Sequence, residues 1–310
     1  MNMLFTEDQL TLADTIRDYL AGTHGPEVLR RLDIDGNRDP AIWQGLVDMG
    51  LTGLLVPEAQ GGLGMGLVDA ALIAAECGRA CLAEPLVDTA FVAVPWLLAQ
   101  GKTQGLEDIV AGTRQIALPH AINPWVADGE GAALQSVDPL RNLSAANDGA
   151  TDDPYLLDLG ALMAAAQLVG LADAMLAQAV DYAKIRTQFG QPIGAFQGLK
   201  HQLASCSVAI EFAKPVVWRA AQALADGIES ASVHVSHAKV AATDAAMLTA
   251  ETAIQTHGAM GYTYEVDLHF WMKRSWALAG AWGSRAFHLR RVDAAVLGGS
   301  LPIGPEQTFA

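Results

Sequence analysis

Apolar positions recur every three to four residues along most of the chain, which predicts amphipathic helices, and the period breaks across residues 113–153. Near the N-terminus, Thr6-Glu-Asp-Gln9 reads as a capping box. Leu10, Ala13, Ile16 and Leu20 then mark the buried stripe of the helix that it opens. Pro40 suits the first turn of another helix, with Trp43, Leu46 and Val47 on one face. The stretch 50–57 reads as a short buried link and Gly61-Gly-Leu-Gly64 as a loop. Residues 69–83 and 89–99 are again helical, with Pro95 as a kink point. Residues 1–112 are therefore expected to form an N-terminal helical domain.

The pattern shortens in residues 113–153. Gln115-Ile-Ala-Leu-Pro119, Trp125-Val-Ala127 and Ala132-Ala-Leu-Gln-Ser-Val137 are short β-like runs, and Asp128-Gly-Glu-Gly131 is a turn signal. That length allows only about three strands at the usual five or six residues each. A closed barrel takes roughly eight. This is the reading of a truncated middle β segment. From residue 154 to 310 the helical period returns. Long helices are expected at 159–185, 195–225, 232–256 and 283–296, with short connections that suggest a four-helix bundle. The predicted fold is mainly α, and 148–154 is the one linker-like stretch.

Composition narrows the classes of function. The chain has 310 residues, 51% of them apolar, which is enough for a large core and one to three domains. Its formal charge of −15 argues against nucleic acid and anionic membrane surfaces as partners. Three cysteines, Cys77, Cys81 and Cys206, make no disulfide framework. The histidines share no spacing with acidic partners that would suit zinc, so no metal site is expected. No basic-then-apolar leader and no membrane-length apolar run are visible, which predicts a cytoplasmic location.

Two segments carry candidate chemistry. One is Arg186-Thr-Gln-Phe-Gly-Gln-Pro-Ile-Gly-Ala-Phe-Gln-Gly-Leu-Lys-His201, the other Gln255-Thr-His-Gly-Ala-Met-Gly-Tyr262. A guanidinium is a planar fork suited to phosphate oxygens, and Arg186 supplies one. Gly258 and Gly261 would let backbone N–H groups approach a nucleotide closely. With Trp43–Glu58, Gly61–Gly64, Glu76–Arg79 and Ser136–Arg141, these segments resemble the acyl-CoA dehydrogenase family in order and spacing, over most of residues 1–110 and 155–298. The one departure in the glycine loop is Gly258-Ala259, where the family often has two adjacent glycines.

The resemblance implies FAD as cofactor and an acyl-CoA as substrate. It places Arg186, Gln188, Phe189, Ile193, Phe196, Gln197, Gln255, Gly258 and Gly261 on the adenine and pyrophosphate end of a neighbouring subunit's FAD. The family removes the α-proton of the thioester with a carboxylate while the β-hydride goes to the flavin. Its usual glutamate position falls on Trp282, and its alternative position on Gly160 and Ala161, so both base positions are empty. The middle domain that covers the flavin ring is also too short. Contacts made to a neighbour's cofactor are kept, and contacts to the chain's own are lost. The resemblance therefore narrows to short subunits that pair, as α2β2 assemblies, with a full-length subunit carrying the glutamate. Several such pairs act on CoA esters of steroid side chains, and the family generally passes electrons to an electron-transfer flavoprotein. Two alternatives stay open: a homomeric dehydrogenase with a base relocated to Glu265, Asp267 or Glu251, and a scaffold subunit outside any active site.

Overall fold

Thr6 caps the first helix in both directions: its Oγ1 accepts the Gln9 N–H at 3.2 Å and its own N–H donates to Gln9 Oε1 at 3.0 Å. The computed structural model describes residues 5–146 and 149–304. Helix α1 is Glu7–Thr23, followed by α2 (Pro26–Asp35), α3 (Pro40–Asp48) and α4 (Leu67–Arg79). Asp39 caps α3 ahead of Pro40, as the proline position predicts. Val87–Ala93 winds as a π-helix into α5 (Val94–Ala99), where Pro95 begins the tighter coil. A proline lacks the N–H that the preceding turn would need, so the wide turn ends where it stands. Helix α6 is Leu106–Val110.

The middle stretch forms one small antiparallel sheet among the described residues. Strand β1 is Trp125–Ala127, β2 is Ala133–Leu134 and β3 is Leu143–Ala145, with β3 in the centre. The register pairs Trp125 with Ala145 and Ala133 with Ser144. The run 115–119 is no strand, contrary to expectation. Its Ile116 N–H donates instead to Thr89 Oγ1 at 3.1 Å, so this segment lies along the π-helix rather than in the sheet. Strand β3 takes its place. Of the linker-like stretch 148–154, Asp148 lies outside the described residues.

Asp153 caps the next helix, α7 (Pro154–Ile185), by accepting the Tyr155 N–H at 2.8 Å. Its apolar residues run all round the helix, because neighbours cover nearly every side of it. Among the described residues α7 alone is long and apolar enough to cross a membrane, and 78% of its apolar window is buried inside this fold. Gly170 lets α7 meet α4 at backbone contact: a Cβ there would lie 1.8 Å from the Ala75 carbonyl oxygen. Helices α8 (Gln197–Ala225), α9 (Ala231–His257) and α11 (Arg285–Leu297) complete the expected set. A further helix, α10 (Leu268–Gly280), was not expected and packs against α7 and α9. Its buried face carries Leu268, Phe270, Trp271, Met272 and Leu278, but also Arg274 and His269, which obscure the apolar period.

Candidate nucleotide site and the closed base position

Two arms carry the candidate binding residues. In the first, α7 ends at Ile185 and Arg186 begins a tight hairpin of β4 (Thr187–Gln188) and β5 (Gln191–Pro192). Phe189 and Gly190 turn that hairpin with φ of 53° and 79°. A left-handed phenylalanine is uncommon, and this one is 91% exposed. Its ring meets Phe196 edge-on at 6.2 Å. The Ile193 N–H donates to the Arg186 carbonyl at 2.8 Å, which folds the hairpin back onto the end of α7. Ile193 and Phe196 are half-buried, whereas Gln188 and Gln197 are exposed. The Arg186 guanidinium is exposed and, among the described residues, makes no ion pair or hydrogen bond.

In the second arm, α9 stops at His257. Gly258 takes φ 62° and ψ −137°, a conformation close to glycine-only, with nothing near its missing side chain. Gly261 turns back so tightly that a Cβ would sit 2.7 Å from the Ile254 carbonyl oxygen. Gln255 is exposed one turn above. The arms are joined. Tyr182 and His257 stack at 4.3 Å with an interplanar angle of 26°, and the Tyr182 hydroxyl reaches Met260 Sδ at 3.7 Å. Sequence reading weighed His257 as a structural residue and did not single out Tyr182. Tyr182 precedes Arg186 by one helical turn on the same face, and that spacing was the available signal.

These surfaces fit the tail of FAD. An unpaired guanidinium, open backbone at Gly258 and an exposed phenyl match a pyrophosphate and an adenine.

The position where the resemblance would place a base, Trp282, is closed. Trp282 is 6% exposed and held at φ 58°. Its N–H donates to Asn123 Oδ1 at 2.9 Å, and its carbonyl accepts from His288 Nε2 at 2.9 Å. Because it faces a carbonyl, His288 Nε2 carries a proton, and the ring's Nδ1 lies 3.1 Å from Ser236 Oγ. Burial pushes its pKa down to about 4. The Trp282 indole lies against Gly160, and Ala161 beside it is buried. Two voids of about 10 Å³ each lie nearby, each about the size of one water. One lies between Trp282, Asn123, Asp88 and Arg141, the other between Glu84, Asp88, Arg141 and Arg274. Neither holds an isoalloxazine ring or an acyl chain.

Two carboxylates of this region, Asp88 and Asp138, have structural partners, whereas Glu84 Oε2 is buried without a hydrogen bond. Asp88 pairs with Arg141 at 3.0 Å, and Asp138 with the fully buried Arg274, whose Nη1 also donates to the Leu82 carbonyl at 2.7 Å. Glu84 is raised from the usual carboxylate range by burial. The relocated-base candidates lie elsewhere. Asp267 holds Arg30 in a two-pronged pair at 2.6 Å, Glu251 is exposed on α9, and Glu265 is exposed at the edge of a separate 670 Å³ cleft. No group of His, Cys, Asp and Glu among the described residues is arranged to hold a metal. The three thiols are buried, and burial pushes Cys81 up to about 12, which leaves it unreactive.

The family model described as "Acyl-CoA dehydrogenase, N-terminal domain" matches residues 6–105, and "Acyl-CoA dehydrogenase, C-terminal domain" matches 147–297. Acyl-CoA dehydrogenase IpdE2 of Mycobacterium tuberculosis is 32% identical over 317 residues, 94% of this chain and 98% of that protein. The solved structure of a Tcur3481–Tcur3483 steroid ACAD variant shares the fold with TM-score 0.84 at 22% identity, covering 95% of this chain and 99% of that one. The ChsE4–ChsE5 complex from Mycobacterium tuberculosis does so with TM-score 0.81 at 21% identity, covering 98% and 100%. This chain belongs to the acyl-CoA dehydrogenase family, oxidoreductases acting on CH–CH donors.

Proposed function

We propose that this chain is the non-catalytic subunit of a heteromeric, FAD-dependent acyl-CoA dehydrogenase. Its two arms hold the adenine and pyrophosphate of an FAD whose ring lies in a full-length partner subunit. FAD, when bound, supplies the hydride acceptor for α,β-dehydrogenation of the thioester. The partner's glutamate takes the α-proton. Alone, the chain is inactive. One observation carries this reading: the tail-binding arms are open and unpartnered, while Trp282 packed on Gly160 closes the position where a base and a flavin ring would meet.

Arg186 offers its charge to the pyrophosphate, and Gln188, Gln197 and Gln255 add hydrogen-bond capacity around it. Phe189, Ile193 and Phe196 form an apolar wall for the adenine. The substrate class we favour is a CoA ester of a steroid side chain, in keeping with the steroid ACAD among the solved structures that share the fold. An electron-transfer flavoprotein is the acceptor in this scheme, and the cytoplasm its location.

The test is FAD affinity in the complex purified by a tag on this chain. Arg186→Ala is expected to weaken FAD binding about 10- to 100-fold, because a charge-assisted contact to phosphate is lost. Arg186→Lys restores part of it. Unchanged flavin content and activity in Arg186→Ala would refute the reading.

A further inference from the structure

We infer that Tyr182 and His257 are positioning residues for the FAD tail: their stacked rings set the spacing between the arm that carries Arg186 and the arm that carries Gln255 and Gly258. This rests on the proposed function, and it names residues that no part of that reading required.

The argument begins with where the two rings sit. Tyr182 is in the last turn of α7, and the Arg186 N–H donates to its carbonyl at 2.9 Å. His257 is the last residue of α9, between Gln255 and Gly258. Helix ends are the parts most prone to fray and to shift against one another. Here the two ends that bear the binding groups meet through one ring on each, at 4.3 Å and nearly parallel. His257 is also fixed from its own helix. Its Nδ1–H donates to the Ala253 carbonyl at 2.8 Å, which sets both the ring's orientation and its tautomer. The Tyr182 hydroxyl adds a contact to Met260 inside the glycine loop.

The surroundings separate this pair from ordinary core packing. Both rings line the 670 Å³ cleft that also touches α1, α4 and α10, with Tyr182 half-buried and His257 buried. The stack bridges two arms across a cleft edge. A pyrophosphate engages Arg186 and the backbone at Gly258 at the same time only if the two are held at its own width. Preorganising that spacing raises affinity without any new contact to the ligand.

The test is a double-mutant cycle on FAD affinity, using the complex purified by a tag on this chain, stripped of flavin and titrated with FAD. Tyr182→Phe keeps the stack and is expected to stay within about twofold of wild type, since only the weak sulfur contact is lost. Tyr182→Leu and His257→Leu are each expected to weaken binding about tenfold. In an Arg186→Ala background the same Leu substitutions are expected to add less than about twofold, because residues acting through one group are not additive. A merely structural role predicts the same loss in both backgrounds, and that result would overturn the inference. Should Tyr182→Leu fail to assemble, His257→Leu and its Arg186→Ala double carry the cycle. If Arg186→Ala alone leaves FAD affinity unchanged, the proposed function and this inference fall together. If Arg186→Ala weakens FAD binding and neither Leu variant does, only the inference falls.

Discussion

Trp282 fills the space in front of Gly160: a Cβ added to Gly160 would lie 2.0 Å from Trp282 Cδ2. The family resemblance puts its two alternative base positions here, and the indole at one leaves no room for a side chain at the other. Neither the indole nor a glycine takes up a proton. The pairing also explains why glycine, a poor helix former, stands inside the buried α7.

Gly160→Ala is accordingly expected to destabilise the chain by about 3 kcal/mol, at the upper end for overpacking, because the contact is with a rigid, buried ring. Urea unfolding measures it. Adding Trp282→Ala to Gly160→Ala is expected to recover part of that loss, since the two substitutions share one space. Additive destabilisation would mean that the two residues are independent.

Trp282→Glu puts a carboxylate where the resemblance would place the base, but it does not open a site there. The nearby voids of about 10 Å³ leave no room for a flavin ring or thioester. The variant purified alone is expected to carry no stoichiometric flavin and to oxidise no acyl-CoA. A yellow, active Trp282→Glu protein would show that the closure lies in that side chain alone.

Arg274 and Asp138 tie α10 to the middle segment from inside the core, at 2% and 0% side-chain exposure. Breaking a buried pair leaves the other charge uncompensated, so Arg274→Met is expected to cost about 3–5 kcal/mol. Asp138→Asn is expected to fall in the same range. Denaturant midpoints check both. A loss below about 1 kcal/mol, typical of a surface pair, would contradict this.

How much of this was legible in the sequence follows from where each signal resides. The capping box at Thr6, the proline-led start of α3 and the long helices α7 to α9 were readable because their causes are local, although α7 begins at Pro154, inside the stretch taken for a linker. The turns that form the two arms were readable from their glycines and proline, whereas the nucleotide role given to them comes from the family resemblance. Helix α10 was hidden by Arg274 and His269 on its buried face, whose burial depends on neighbours far away in sequence. Strand β3 was missed, and 115–119 mistaken for a strand, because runs this short gain their pairing from tertiary contacts. The Tyr182–His257 stack and the Trp282–Gly160 contact join distant residues, and no periodicity encodes them.

The elbow that holds Trp282 should also respond to acid. His288 is buried and neutral, donating to the Trp282 carbonyl, with Ser236 Oγ 3.1 Å from its Nδ1 and the cations Lys239 and Arg291 nearby. Its folded pKa of about 4 lies below the ordinary 6.5. Between those values the unfolded chain binds a proton that the fold does not, so stability falls as pH falls through that window. Above about 6.5 the group contributes no slope. The expected loss between pH 7 and pH 5 is about 2 kcal/mol from this histidine. Urea unfolding of wild type and His288→Gln at both values tests it. The variant should lose less on acidification, and an identical loss would contradict the assignment.

A structure of the complex, solved with FAD from the tagged assembly, bears most directly on the central claim. The account predicts the adenine against Phe189, the pyrophosphate at Arg186 and Gly258, and the isoalloxazine beside a glutamate of the other subunit. An isoalloxazine enclosed by this chain, with one of its own carboxylates at the substrate, would contradict it.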